Sequence, residues 1–272
     1  VFSPWYRLAR RRGGGDPARH CALNVALYGR GGKRWAMTER GAHALSRGAD
    51  YLAIGPSGLG WDGRVLTIDI DEMTVPWPSR IRGQVRLHPA SLATHEVMLD
   101  GVGQHRWQPV APAARVEVDL RQPALRWSGT AYFDTNAGSA PLEEGFTFWH
   151  WCRAGLRHGT AVLYHGERID GTPFCTALRY APDGSAEAFD PPPPAGLPRS
   201  FWRLPRATRA EAGFAPRITQ VLEDAPFYAR SVLASRVLGE DVTAVHESLS
   251  LTRFVQPWVQ VMLPFKAPRA LS

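Results

Sequence analysis

The stretch Arg115-Val116-Glu117-Val118-Asp119-Leu120 alternates charged and apolar side chains without a break. Successive side chains of a β-strand point to opposite faces, so Val116, Val118 and Leu120 share one face and the charged residues share the other. Leu66-Thr67-Ile68-Asp69-Ile70-Asp71 repeats the pattern. Both segments predict strands with one buried and one wet face. Asp-Gly pairs stand beside strand-like runs at Asp62-Gly63, Asp100-Gly101, Asp170-Gly171 and Asp183-Gly184. Asp-Gly favours the positive-φ turns that close tight hairpins. Long amphipathic helix patterns are scarce. Glu39 to Ser46 reads as one short helix, and Pro191 to Pro194 as a rigid extended link. Short strands joined by such turns predict an all-β chain of sandwich or barrel type.

Small residues and turn formers cluster at Asn136-Ala137-Gly138-Ser139-Ala140-Pro141, between one strand and the next, Phe146 to Arg153. A division there gives two barrel-like halves packed side by side, residues 1–140 and 141–272. Further strands are expected at Thr160 to Tyr164, Phe174 to Tyr180, Phe227 to Leu238 and Val242 to Phe254. Phe201 to Arg206 is expected to close a strand, with Trp202 in the core or between the halves.

The chain has 272 residues, 44% hydrophobic and 21% charged, a composition that folds around a packed core. No stretch approaches the roughly 20 apolar residues of a membrane-spanning helix. The net charge is +7, and Lys33 and Lys266 are the only lysines among 32 basic residues, so the rest are arginine. A basic surface attracts anionic partners. The dense cluster Arg7, Arg10, Arg11 and Arg12, beside Trp5 and Tyr6, has too few charges for a nucleic-acid arm, and no nucleic-acid motif accompanies it. Two readings stand, a solvated loop and a membrane-contacting lip. Cys21, Cys152 and Cys175 are widely spaced, which argues against a disulfide framework or zinc site and fits a reducing compartment. His158 and His165 lack a third ligand at sensible spacing, so no metal is expected. Gly55 to Gly60 lacks the Lys-Ser/Thr ending of a phosphate loop and reads as a turn. Glu39 and Asp62 are further acids; Glu39, between Thr38 and Arg40, reads as an ion-pair partner or helix cap.

Two triplets carry the chemistry, Tyr132-Phe133-Asp134 and His105-Arg106-Trp107. In strands, Tyr132 and Asp134 project together, and so do His105 and Trp107. If both strands line one cavity, a carboxyl, an imidazole and two electron-rich rings meet. A desolvated carboxylic acid can protonate an unactivated double bond, and aromatic faces can shelter the resulting cation. Structural readings compete. Periodicity alone buries Leu125, Trp127, Gly129, Ala131 and Phe133 and exposes Arg126, Ser128, Thr130, Tyr132 and Asp134. A lone His105 is more often structural, and Trp107 and Trp127 more often core. Trp149-His150-Trp151 places both indoles on one face, where packing is the default.

Several stretches resemble the carotenoid 1,2-hydratase family, also called hydroxyneurosporene synthase. They are HCALNVALYG (His20 to Gly29), RWAMTERG (Arg34 to Gly41), IGPSGLGWDG (Ile54 to Gly63), His105-Arg106-Trp107, AYFDTN (Ala131 to Asn136), PLEEGFTFWHWCRA (Pro141 to Ala154) and FWRLPR (Phe201 to Arg206). The resemblance implies two lipocalin-like β-barrels, addition of water to the terminal C1–C2 double bond of an acyclic carotene such as neurosporene or lycopene, and no organic cofactor. It implies Asp134 as catalytic acid, supported by His105, Trp107 and Tyr132. His105 either positions or deprotonates the attacking water, or bonds to Asp134. The family carries an upstream tryptophan-rich strand that this sequence lacks. With the apolar opening Val1 to Tyr6 and no initial Met, the expectation is a natural start further upstream. The implied partners are the carotene and water, with peripheral attachment to the cytoplasmic side of a bacterial photosynthetic inner membrane. Two other functions fit the same pocket, a non-catalytic carotenoid or lipid carrier and a cofactor-free cyclase or isomerase of a polyene.

Overall fold

The computed structural model describes residues 2–29 and 31–270. Strands β1 (Asn24–Leu27) and β2 (Arg34–Met37) form a ribbon. An eight-stranded sheet follows, from β3 (Leu45–Arg47), β4 (Tyr51–Ile54), β5 (Ser57–Trp61), β6 (Leu66–Met73), β7 (Arg80–Pro89), β8 (Val97–Met98), β9 (His105–Gln122) and β10 (Ala124–Gly138). Its order is β10-β9-β7-β6-β5-β4-β3, with β8 paired to β9. Next come β11 (Phe146–Leu156), β12 (Gly159–Arg168), β13 (Pro173–Tyr180) and β14 (Ala186–Ala188), then a second ribbon, β15 (Pro194–Leu197) with β16 (Arg206–Arg209). With β17 (Arg217–Asp224), β18 (Tyr228–Val237) and β19 (Glu240–Ser250), the first four make a seven-stranded sheet, β14-β13-β12-β11-β19-β18-β17.

The all-β class expected from the alternating segments is observed. Closure into hydrogen-bonded barrels is not: among the described residues each sheet is an open path of strands. The edges explain this. β3 and β14 are three residues long, and β17 breaks register against β18 at Ile218/Gln220 and Val221/Glu223. Short or bulged edges offer no matching row of backbone groups.

The four Asp-Gly pairs fall in connections between strands, and in each the Asp Oδ1 accepts a nearby backbone N–H: Arg64 for Asp62, Val102 for Asp100, Thr172 for Asp170 and Ser185 for Asp183. Gly63, Gly171 and Gly184 take positive φ. Helices are short. α1 (Pro4–Arg11) starts with Ser3 Oγ accepting the Tyr6 N–H at 2.9 Å and with Pro4 in its first turn. Arg7, Arg10 and Arg11 of the cluster that reads from sequence as a loop or lip are therefore on a helix, and Arg12 caps its end; two turns are too few for a periodicity to register. Only Ala42–Ala44 of the Glu39–Ser46 segment is helical, as one 3₁₀ turn. The other α-helices among the described residues are α2 (Leu142–Gly145), α3 (Leu251–Phe254) and α4 (Pro257–Met262), with further 3₁₀ turns at Pro17–Arg19 and Leu263–Phe265. Phe201 and Trp202 lie in a turn rather than ending a strand, and Trp202 stacks on Trp258 with ring centres 6.1 Å apart.

The chain divides into two compact units of interleaved segments. One holds Val1–Pro89, Ala114–Ala131 and Gln260–Ser272; the other holds Ala90–Ala113 and Tyr132–Val259. A boundary near Pro141 thus separates β10 from β11, not one unit from the other. The long hairpin β9–β10 gives its turn end to the first unit and its open end to the second. Burial along β9 changes parity on the way: His105, Trp107, Pro109 and Ala111 are buried, then Val116, Val118 and Leu120. The first unit's core is built on Ile70, Val116, Val118 and Leu120, as the alternation predicts, together with Ile81. The second packs Cys152, Ala154, Leu163, Leu233 and Ala244 along neighbouring, hydrogen-bonded strands.

Glu72 shares the buried face of β6 with Ile70. Both its oxygens accept from Arg40, at 3.0 and 2.8 Å, and Oε1 also accepts from Ser57 Oγ at 2.7 Å. Removing one partner of such a pair strands the other charge in the interior. Glu72→Ala is expected to destabilise the protein by about 3–5 kcal/mol, read as a lower urea midpoint with unchanged slope.

Candidate active site

Asp134 lies near the end of β10, and Trp107 near the start of the neighbouring β9. β8 fixes this end of β9 through the pairs Val97 with Trp107 and Met98 with Arg106. Strand alternation turns His105 and Trp107 inward and leaves Arg106 exposed. Trp107 Nε1 donates to Asp134 Oδ2 at 2.7 Å, and Tyr132 Oη donates to the same oxygen at 3.1 Å. Asp134 Oδ1 takes no side-chain hydrogen bond among the described residues. One oxygen is thus held by two donors and the other is left for a proton. Burial pushes the Asp134 carboxyl above its ordinary range; the two hydrogen bonds oppose this, and the Glu247 charge adds to it. Glu247 is itself paired with Arg230 at 2.7 Å. Burial, with the neighbouring Asp134 charge, drives the Tyr132 phenol far upward, so it remains a donor.

The odd-numbered face of β11 and its neighbours supply the aromatic surroundings. Tyr132 packs on Trp151 at 5.3 Å between ring centres, and Trp107 meets Tyr164 edge-on at 5.4 Å. Trp149 also packs against Tyr164 at 5.4 Å, and the Arg153 guanidinium lies 5.5 Å from the Tyr132 ring centre. The indole N–H groups of Trp149 and Trp151 are buried and find no protein acceptor. From sequence these two indoles read as packing. Their shared face was legible; their position beside Asp134 was not, because it depends on which strands pack together. Tyr164 gave no signal beyond strand periodicity.

His105 stands apart from this cluster. Its Nδ1 lies 2.6 Å from Asp100 Oδ2, and its Nε2 lies 3.1 Å from the Ala140 carbonyl and 3.3 Å from that of Pro141. Both ring nitrogens face oxygens, and no hydrogen bond joins His105 to Asp134 among the described residues. The ring clamps the β8–β9 connection to the segment after β10. Burial raises the Asp100 carboxyl, but the hydrogen bonds from His105 and from the backbone of Gln104 and Gly103 outweigh it, leaving a net lowering. Asp100 was legible only as a turn former. Gly145 makes room for the ring: a Cβ there would sit 2.7 Å from His105 Cε1.

The remaining sequence candidates have structural partners. Glu39, 1% exposed, is bonded to Ser3 Oγ, to His20 Nδ1 at 2.8 Å and to Arg269, the ion-pair role expected. Asp62 caps its own turn. Gly55 is in the tight β4–β5 turn. The three cysteines are free. His165 packs against His150 at 5.2 Å, and no group of three or more His, Cys, Asp or Glu is placed to hold a metal among the described residues.

Comparison with known proteins adds an independent line. The family model described as carotenoid hydratase CrtC matches residues 1–272. The acyclic carotenoid 1,2-hydratase of Thiocapsa roseopersicina is 54% identical over 270 residues, 99% of this chain and 67% of that protein. The protein of the same name from Rubrivivax gelatinosus is 46% identical, with 99% and 67% covered. That of Cereibacter sphaeroides is 43% identical, with 99% and 95% covered. Among solved structures, an AttH-type protein of Nitrosomonas europaea superposes with a TM-score of 0.57 at 14% identity, covering 84% of this chain and 80% of that one. At that identity the likeness concerns the fold.

Two substitutions test the site's construction. Trp107→Phe keeps a ring but removes one donor from Asp134 Oδ2, so the carboxyl is expected to titrate at higher pH than in the parent, as followed by ¹³C NMR of labelled aspartate. Gly145→Ala is expected to displace the His105 ring and cost about 1–3 kcal/mol, seen as a lower Tm.

Proposed function

Because the chain belongs to the carotenoid hydratase CrtC family, we propose that Asp134 is the acid with which it adds water to the terminal C1–C2 double bond of an acyclic carotene such as neurosporene or lycopene. The observation that carries this reading is the pair of donors on Asp134 Oδ2. A neutral carboxyl needs one oxygen to carry the proton and profits if charge appearing on the other is already met by fixed dipoles. Burial keeps the group protonated to higher pH than an exposed aspartate, and Trp107 and Tyr132 stabilise the carboxylate that proton transfer leaves behind.

The step balances without any redox partner. The π electrons of the double bond take the proton from Asp134, forming a C2–H bond, while the O–H electrons stay on the carboxylate. Positive charge develops at C1, a tertiary centre. Ring faces of Tyr132, Trp151 and Trp149 are suited to stabilise it, each by about 0.5–2 kcal/mol. A water oxygen adds to C1, and the proton it loses returns to Asp134. The product is a tertiary 1-hydroxy carotenoid. In this scheme His105 acts through the loop it holds. Acyclic carotenes dissolve in lipid rather than water, so we place the protein peripherally on the cytoplasmic side of a bacterial photosynthetic membrane. No helix among the described residues is long and apolar enough to cross a membrane.

The test is incubation of the protein and of Asp134→Asn with lycopene or neurosporene in detergent and ¹⁸O-water. The parent is expected to give a labelled tertiary alcohol, and the variant to lose about 10²–10⁴-fold in rate. Unlabelled isomer, or bound carotene without product, counts against the reading. The parent rate is expected to fall as pH rises through the raised pKa of Asp134, because the protonated form is the active one. Stability has the same sign. A raised folded-state pKa contributes stability fully below the unfolded pKa, and this is lost as pH rises through the folded one. Asp134→Asn keeps an acceptor for both donors and no ionisation, so its Tm is expected to escape that loss.

A further inference from the structure

We infer that α1 and the segment Gln260 to Lys266 form the face by which the protein docks on an anionic phospholipid membrane. The inference rests on the hydratase reading for its purpose, since a carotene must be drawn from lipid, but its observations are independent of the site. Both segments belong to one compact unit. The α1 helix carries Arg7, Arg10 and Arg11, is followed by Arg12 and contains no acid. Leu8 is exposed on it, and Val261, Met262 and Phe265 are exposed on the C-terminal segment; Val261 and Phe265 are 69% and 72% accessible. Trp5 Nε1 donates to the Ala267 carbonyl at 2.9 Å, which ties α1 to this segment. Together they line a groove of about 230 Å³, walled by Trp5, Arg7, Leu8, Arg11, Val261 and Pro264.

The chemistry selects the occupant. In the groove's lining Leu8 and Val261 suit acyl chains, and the Arg11 guanidinium beside them suits a lipid phosphate, the pairing of an interfacial helix. A nucleic-acid backbone would leave Val261, Met262 and Phe265 without a partner. A second copy of the chain meeting this face across a two-fold axis would set arginines against arginines. Monomeric proteins seldom leave such apolar side chains grouped on a surface without a use for them.

The experiment is co-sedimentation of the full chain with phosphatidylglycerol–phosphatidylcholine vesicles and with pure phosphatidylcholine vesicles, at low and high salt. Two variants are compared, Arg10→Glu with Arg11→Glu and Arg12→Glu, and Val261→Asp with Phe265→Asp. All five positions are exposed, so both variants are expected to fold. The parent is expected to sediment with the anionic vesicles at low salt, less at high salt and little with pure phosphatidylcholine. Each variant is expected to bind on the order of tenfold less. A parent that stays in solution with anionic vesicles at low salt overturns the inference, as do variants that bind like the parent. Sedimentation velocity separates the competing occupant: a parent dimer that the variants convert to monomer makes the face a self-interface. Hydration in detergent is assayed in parallel. Loss of ¹⁸O product from the parent there tells against the hydratase reading and leaves the vesicle result to stand or fall by itself.

Discussion

A single carboxylate oxygen, Oδ2 of Asp134, receives both the indole N–H of Trp107 and the phenol O–H of Tyr132. A carboxyl group in an interior without donors would stay neutral but would be a poor acid, since nothing would stabilise its conjugate base. One in water would give up its proton to the solvent. Burial with two fixed donors lies between these limits. Much of the surrounding structure serves that balance: β8 pins Trp107, Tyr164 and Trp149 back it, Trp151 packs on Tyr132, and Glu247 holds a like charge nearby.

The geometry depends on one long hairpin. β9 and β10 hold Trp107 and Asp134 at the open end, while Val116, Val118 and Leu120 fill a core nearer the turn. Burial along β9 reverses parity between these two stretches. Near its start β9 buries His105 and Trp107, and nearer the turn it buries Val116, Val118 and Leu120, so the stretch beside Asp134 and the stretch in the first unit's core are different parts of the hairpin. His105 and Asp100, mutually bonded at 2.6 Å, hold the open end together. In the proposed chemistry their contribution is positional.

Part of the site is legible in the sequence. Alternation put Tyr132 with Asp134 and His105 with Trp107, and the family resemblance marked the same four residues. Periodicity by itself would have buried Leu125 and Trp127, both of which are exposed, at 39% and 47%. The pattern tells which residues share a face but not which face meets a core. For the same reason Trp149 and Trp151 read as packing and Asp100 as a turn former. The helix at Pro4–Arg11 escaped because eight residues span too few turns for a period to show.

By itself the sequence determined the class of the fold, the turns and the kinds of side chain available for chemistry. These follow from backbone alternation, from the φ that Asp-Gly permits and from covalent identity, all of which are local. Tertiary structure decided the rest: open sheets rather than closed barrels, interleaved units rather than contiguous halves, and which donors reach which oxygen. A hydrogen bond of 2.7 Å between residues 27 positions apart depends on strand pairing and packing summed over the chain, and no local pattern encodes that sum.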